Sequence, residues 1–312
     1  MPDEEDATMW GMVIDLNKCL GCQTCTVACK MLWSDRGGAD HMWFSMVETR
    51  PGSGYPKNWE EKSIKGQRMS RSDYEAAPTF DYRKLQNNPG IGMPKVMADM
   101  QGGPNWDEDI GKGKNVSDAW FYYLPISCMH CEEPKCIPAC PANAIYKRAD
   151  GTVLIDPEIC QGAGDCVDAC PYKRIFINTN TGKAEKCNLC FPRVEKGMPP
   201  ICVQNCPGKA RFFGDLDDPE SPVYKLVKEF KVAVPLHPEF GVKPQIFYIP
   251  PVFGPRAIGN RGDSSGARED SAYLKKQFGP GIDRVKATME KERNKGKSAL
   301  MDVLSAYPTW KI

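Results

Sequence analysis
The sequence predicts an α+β fold in which short helices and β-hairpins wrap around metal. Three features carry that expectation: cysteine makes up 15 of 312 residues, every thiol falls into one of four short groups, and turn signals between the groups read as hairpins. An odd number of cysteines argues against a closed disulfide framework, and a chain this long needs none as a staple. Clustered thiols in such a chain point to metal.

The length allows one large or two ordinary domains with a real apolar core. Lysine plus arginine, 41, nearly balances aspartate plus glutamate, 40, so nothing indicates an extended basic surface for nucleic acid or a membrane. No apolar run approaches the roughly 20 residues of a spanning helix, and the longest candidate, IFYIPPVFG from Ile246, is broken by prolines. The start, MPDEEDATMW, is acidic and has neither the apolar region of a secretory signal nor a twin-arginine pair. Export would depend on another carrier.

Taken in order, the chain opens with an apolar strand at Val13 and the first group, Cys19, Cys22, Cys25 and Cys29. Residues 31–120 follow, rich in Gly, Pro, Trp and charge, as in ETRPGSGYPKNWEEK. A loop of that length without a strong period is unusual unless it serves an interface, so it reads as an insertion that packs on a partner. The aromatics Trp33, Trp43, Phe44, Tyr55 and Trp59 argue for burial and against the alternative, a disordered decoration.

The second group is Cys128, Cys131, Cys136 and Cys140; the third is Cys160, Cys166 and Cys170; the fourth is Cys187, Cys190, Cys202 and Cys206. AIYKRADGTVLID from Ala144 and RIFINTNTGKAEKC from Arg174 read as hairpins turning at ADGT and NTG. VIDLNKCLGCQTC at Val13 and LIDPEICQGAGDC at Leu154 look like copies of one unit. Proline follows the last cysteine of three groups, at Pro141, Pro171 and Pro207, whereas Lys30 stands there in the first. The tail, residues 254–312, is polar with one expected exposed helix in KATMEKERNKGKSAL, and its RGD at Arg261 is a coincidental match.

A four-iron cluster needs thiolates at the corners of a cube. Closely spaced cysteines supply three, and the last cysteine of each group, usually before proline, serves the other cluster of a pair. The second and third groups, separated only by a hairpin, exchange their fourth ligands as in a two-cluster ferredoxin; the first and fourth then pair across the sequence. Two ferredoxin-like modules follow, one from residues 1–30 with 174–253 and one from residues 121–173. The first cluster takes Cys19, Cys22, Cys25 and Cys206; the second Cys29, Cys187, Cys190 and Cys202; the third Cys128, Cys131, Cys136 and Cys170.

Cys140, Cys160 and Cys166 remain, and Ala163 stands where a fourth thiol would be. A methyl group coordinates nothing, so a [3Fe-4S] cluster is expected there. Asp165 or a water is the alternative ligand for a labile fourth iron. Zinc competes at any single CxxC pair, but four interlocking groups favour iron. His130, within CMHC, reads as an exposed residue or one that hydrogen-bonds near a cluster; His41 and His237 carry no signal. No nucleophile with its base, HExxH, Walker loop or dinucleotide fingerprint stands out, and GKGKN at Gly111 has the wrong spacing for a phosphate loop.

With these cysteine groups, and with CQTCTVACK, VETRPGSGYPKNWE and CPYKR, the chain resembles the iron-sulfur beta subunits of the dimethyl sulfoxide reductase family of molybdenum enzymes. Within that family it is similar to the group of nitrate reductase, nitrite oxidoreductase, selenate, chlorate and perchlorate reductases, dimethylsulfide dehydrogenase and ethylbenzene dehydrogenase. In those relatives the third group also lacks a cysteine, often with an aromatic residue there; Ala163 departs from that. The resemblance implies three [4Fe-4S] clusters and one [3Fe-4S] cluster, a molybdopterin-containing catalytic alpha subunit and a haem b gamma subunit or other carrier. It also implies an electron-transfer role with no catalytic centre in this chain. The short form implies a periplasmic or other extracytoplasmic site, co-exported with the partner; the cytoplasmic face of the membrane is the alternative. A freestanding polyferredoxin and a zinc-stabilised scaffold module are the competing readings.

Overall fold
The strand predicted at Val13 is β1 (Trp10–Asp15), and its residues are buried almost throughout, as in a central strand covered on both faces. The computed structural model describes residues 8–74, 111–112, 119–252 and 270–312. Among the described residues nine further strands follow in chain order: β2 (Ser45–Arg50), β3 (Tyr122–Ser127), β4 (Ile145–Lys147), β5 (Val153–Ile155), β6 (Ile175–Ile177), β7 (Ala184–Lys186), β8 (Arg211–Asp215), β9 (Val234–Pro235) and β10 (Ile246–Ile249).

The main sheet has the order β8-β1-β10-β9, with β1 antiparallel to β8 and parallel to β10. The first described strand is thus clamped between two strands from beyond the fourth cysteine group. Val13, Ile14, Phe212, Phe213, Tyr248 and Ile249 are wholly buried there and form the centre of the large apolar core.

Both predicted hairpins form where their turn residues lie. β4 and β5 pair antiparallel around a turn in which Asp150 accepts the Thr152 N–H at 2.9 Å. β6 and β7 pair around a turn in which the Asn178 side chain accepts the Asn180 and Thr181 N–H groups at 2.9 and 3.1 Å. These side chains accept N–H groups that the backbone of the turns leaves without partners. A second, smaller core joins Ile145 and Val153 to Cys166, Ile175 and Ala184, so the β6–β7 hairpin packs with the unit preceding it. The boundary expected at residue 174 therefore runs through a packed core.

The described part of the inserted segment packs on this chain itself. β2 pairs with β3 along six residues, from Ser45 opposite Ser127 to Arg50 opposite Tyr122, and Phe44, Tyr55 and Trp59 are buried in the chain's own core. Only Trp33 and Trp43 are half-buried. The rest of the insertion, most of GKGKN and the RGD at Arg261 lie outside the described residues.

The tail also differs from the single exposed helix expected. It carries helices Ser271–Phe278, Ile282–Arg293 and Ala299–Ser305. Asp270 and Ser298 cap two of them, accepting the Ala272 N–H at 3.0 Å and the Met301 N–H at 3.2 Å. Ile282, Val285 and Met289 form an apolar stripe at helical spacing that enters the large core with Leu274, Phe278 and Leu300. Charge dominates the rest of those helices, which hid the stripe. Among the described residues no helix is long and apolar enough to cross a membrane.

Candidate metal centres
The thiols are placed by short turns and short helices. After β1, the Asp15 carboxylate accepts the Asn17 backbone and side-chain N–H groups, both at 2.9 Å, and directs the chain into the first cysteine loop. Gln23, in the left-handed region at φ 58, anchors that loop to β2. Its amide donates to the Val47 carbonyl at 2.7 Å and accepts from the Val47 N–H at 3.2 Å and the Thr26 hydroxyl at 2.6 Å. Helix Thr24–Cys29 then puts Cys25 and Cys29 on one buried face.

The three Cys-Pro endings share one geometry. The carbonyls of Cys140, Cys170 and Cys206 accept the N–H of Asn143, Lys173 and Lys209 at 3.1, 3.1 and 3.2 Å. Those three residues are left-handed, at φ 53, 52 and 50. The next N–H in each case, from Ala144, Arg174 or Ala210, turns back onto the cysteine sulfur at 3.3, 3.5 and 3.3 Å. Proline suits this turn because it fixes its own φ and has no N–H to satisfy. Where Lys30 replaces it, the helix runs on as a wider turn over Lys30–Ser34. Lys30 Nζ there donates to the carbonyls of Ala39, Asp40 and Met42. That continuation delivers Trp33, whose indole N–H donates to Cys190 Sγ at 3.1 Å.

The thiols collect in sets. Burial pushes Cys19 up to about 11, with Cys25 and Cys206 beside it adding to the rise. Burial likewise raises Cys29, which faces Cys187, Cys202 and Cys190. Cys136 is pushed up to about 12 by burial and by Cys170 and Cys128, and Cys131 rises for the same reasons. Cys166 rises to about 11 through burial and through Cys140 and Cys160. Cys22 is the exposed member of the first group. Ionising so many adjacent buried thiols requires compensating positive charge, which bound iron supplies. Among the described residues no three His, Cys, Asp or Glu side chains converge closely enough for a single metal ion. The N–H groups aimed at the sulfurs of Cys140, Cys170 and Cys206 suit cluster ligation.

Cys140, Cys160, Cys166 and Ala163 line one small pocket with Gly162 and Asp165. A side chain at Gly162 would place its Cβ 2.0 Å from the Gly182 carbonyl, so the loop lies directly on the β6–β7 turn. Ala163 is exposed at the rim, and Asp165 begins the helix Asp165–Ala169.

His130 is fully buried, not exposed. Its Nδ1 accepts the Val153 N–H at 3.1 Å, and burial and the nearby Lys186 ammonium hold its pKa well below the ordinary value. The imidazole is neutral with its proton on Nε2. His237, which carried no signal, is also buried, between Glu60 and Glu239.

A buried charge network beside the thiols was missed. Glu48 accepts from Arg50 at 2.5 Å, from the Trp59 indole N–H at 3.1 Å and from the Tyr55 N–H at 3.1 Å, and pairs with Arg174 at 3.5 Å. Trp59 lies beneath both guanidinium groups. Burial opposes ionisation of Glu60, yet Arg50 and His237 hold it down at about 2. VETRPGSGYPKNWE and CPYKR, two segments of the resemblance, therefore meet at Glu48. The signal was the co-occurrence of Glu, Arg and Trp in one short stretch with no ligand to justify them.

A family model described as a 4Fe-4S dicluster domain matches residues 119–216, and one described as a 4Fe-4S binding domain matches residues 10–31. Together they span all four cysteine groups. The chain is 44% identical over 311 residues to dimethylsulfide dehydrogenase subunit beta of Rhodovulum sulfidophilum, covering 95% of each chain. It is 44% identical over 316 residues to selenate reductase subunit beta of Thauera selenatis, again covering 95% of each. The respiratory nitrate reductase 1 beta chain of Escherichia coli is 32% identical over 377 residues, covering 85% of this chain and 74% of that one. Matched nearly end to end and in every cysteine group, the chain belongs to the iron-sulfur beta subunits of the dimethyl sulfoxide reductase family of molybdenum enzymes.

Proposed function
We propose that this chain holds three [4Fe-4S] clusters and one [3Fe-4S] cluster and relays electrons between a molybdopterin-containing catalytic subunit and a haem b subunit or other carrier. It performs no bond-breaking chemistry itself. The ligand sets are Cys19, Cys22, Cys25 and Cys206; Cys29, Cys187, Cys190 and Cys202; Cys128, Cys131, Cys136 and Cys170; and Cys140, Cys160 and Cys166. The observation that carries this reading is the succession of thiol neighbours. Cys202 lies near Cys25, Cys187 near Cys128 and Cys136 near Cys166, so each set adjoins the next in a single file. When bound, such clusters supply one-electron redox chemistry over a range of about −700 to +450 mV.

The two ends of the file reach the surface, at exposed Cys22 and exposed Ala163. Beside Cys22, next to exposed Thr24 and Asn205, the apolar side chains of Leu20, Val27, Met31 and Leu32 are all uncovered; such a patch supports a docked protein there. The chain matches 95% of the selenate reductase subunit and 74% of the Escherichia coli chain. We place it outside the cytoplasm, exported with its catalytic partner.

The complex purified without oxygen should be brown and carry about 15 irons per chain. Ala163→Cys should add about one iron and replace the oxidised three-iron electron paramagnetic resonance signal with a reduced four-iron one. An unchanged three-iron signal in that variant would overturn the assignment of Ala163, and colourless, zinc-loaded protein would overturn the whole reading.

A further inference from the structure
Arg211 opens β8 and is 1% exposed. Its guanidinium donates to Ser45 Oγ at 3.2 Å and lies 3.5 Å from both Cys25 Sγ and Met12 Sδ. The sulfurs of Cys25, Cys202 and Cys206 lie around its guanidinium. Among the described residues its leading electrostatic neighbours are all cysteines. Arg50 and Arg174, equally buried, instead pair with the carboxylates of Glu48 and Glu60.

Cys25 and Cys206 belong to the first ligand set and Cys202 to the second. We propose that Arg211 is a buried cation shared by the first and second clusters, raising both reduction potentials together; the proposal rests on the ligand sets given above. A cluster held by four thiolates is anionic and gains one more negative charge on reduction. A fixed positive charge in a low-dielectric interior favours that reduced state. Arginine suits the position because it stays protonated when buried and its fork reaches several acceptors at once. Contacts with Ser45 and Met12 hold the fork in place, so its charge cannot move out to solvent.

The test is a redox titration of the holocomplex followed by electron paramagnetic resonance, with iron counted in every sample. In Arg211→Met, the ratio of reduced to oxidised first and second clusters at a fixed potential should fall about tenfold, equivalent to about 59 mV for one electron. The third and three-iron clusters should move much less. Arg211→Lys keeps the charge and should leave both potentials near the wild-type values. Unchanged potentials in Arg211→Met, a shift of one cluster alone, or equal shifts of all four would overturn the proposal. If Arg211→Met fails to assemble, Arg211→Lys decides: full iron with both potentials held supports a role for the charge, whereas a tenfold fall despite the retained charge overturns it. A wild-type complex without cluster signals would fail the ligand assignment instead, a distinguishable result.

Discussion

Cys206→Ala is expected to remove about four irons and to lower the unfolding midpoint further than any other single cysteine change. Two consequences of one sulfur explain the size. Cys206 completes the first ligand set, and thiolate-bound structural metal sites carry apparent free energies of about 10 kcal/mol that are also folding free energy. Its turn is also a seam between distant parts of the chain. The Ala210 carbonyl accepts the Asp15 N–H at 2.7 Å, and a Cβ at Gly208 would come within 2.6 Å of the Lys18 carbonyl. Losing the sulfur also leaves the Ala210 N–H without its acceptor. Cys22→Ala provides the comparison: it removes a ligand from the same set, but at an exposed site in the loop's own segment. It should cost iron with a smaller change in unfolding. A Cys206→Ala protein that keeps wild-type melting and iron content would refute the cross-chain tie.

The four cysteine groups and their turns were legible in the sequence because their geometry is local. Three closely spaced cysteines on a turn converge whatever the rest of the chain does, and a Cys-Pro ending directs the last one elsewhere. The repeated φ near 50 at Asn143, Lys173 and Lys209 shows how little latitude those turns have. The hairpins were legible for the same reason: Asp150 and Asn178 satisfy their own turns, so no distant partner is needed to predict them.

What escaped depends on partners far along the chain. The position of β1 between β8 and β10 cannot be read from WGMVID, which is equally consistent with an edge or a centre. Trp59 was correctly expected to be buried but without a location, because nothing in its neighbourhood reveals that Arg174 and Glu48 will close around it. The tail helices were misjudged through their charge: a stripe as sparse as Ile282, Val285 and Met289 suffices when the core already presents Phe278 and Leu274 beside it.

Glu48→Ala is expected to destabilise the chain by about 3–5 kcal/mol, the usual cost of breaking a buried ion pair from one side. The carboxylate is 2% exposed and is the only carboxylate paired with Arg174 among the described residues. Without it, a guanidinium stays buried and uncompensated, while Arg50 keeps Glu60 at 3.2 Å. The Trp59 indole and Tyr55 N–H groups lose their acceptor as well; these losses overlap and do not simply add. The damage should be localised, because the Arg174 N–H also points at Cys170 Sγ. Bleaching of the third cluster should therefore lead the loss of colour in a urea series. Desolvation gives the counter-test. Replacing both members of a buried pair with apolar residues of similar size is often neutral, so Glu48→Leu combined with Arg174→Met should recover much of what Glu48→Ala loses. A double variant as weak as the single one would assign the defect to lost packing around Trp59. An unaltered midpoint in Glu48→Ala would mean that Trp59 and Glu60 alone carry the two arginines.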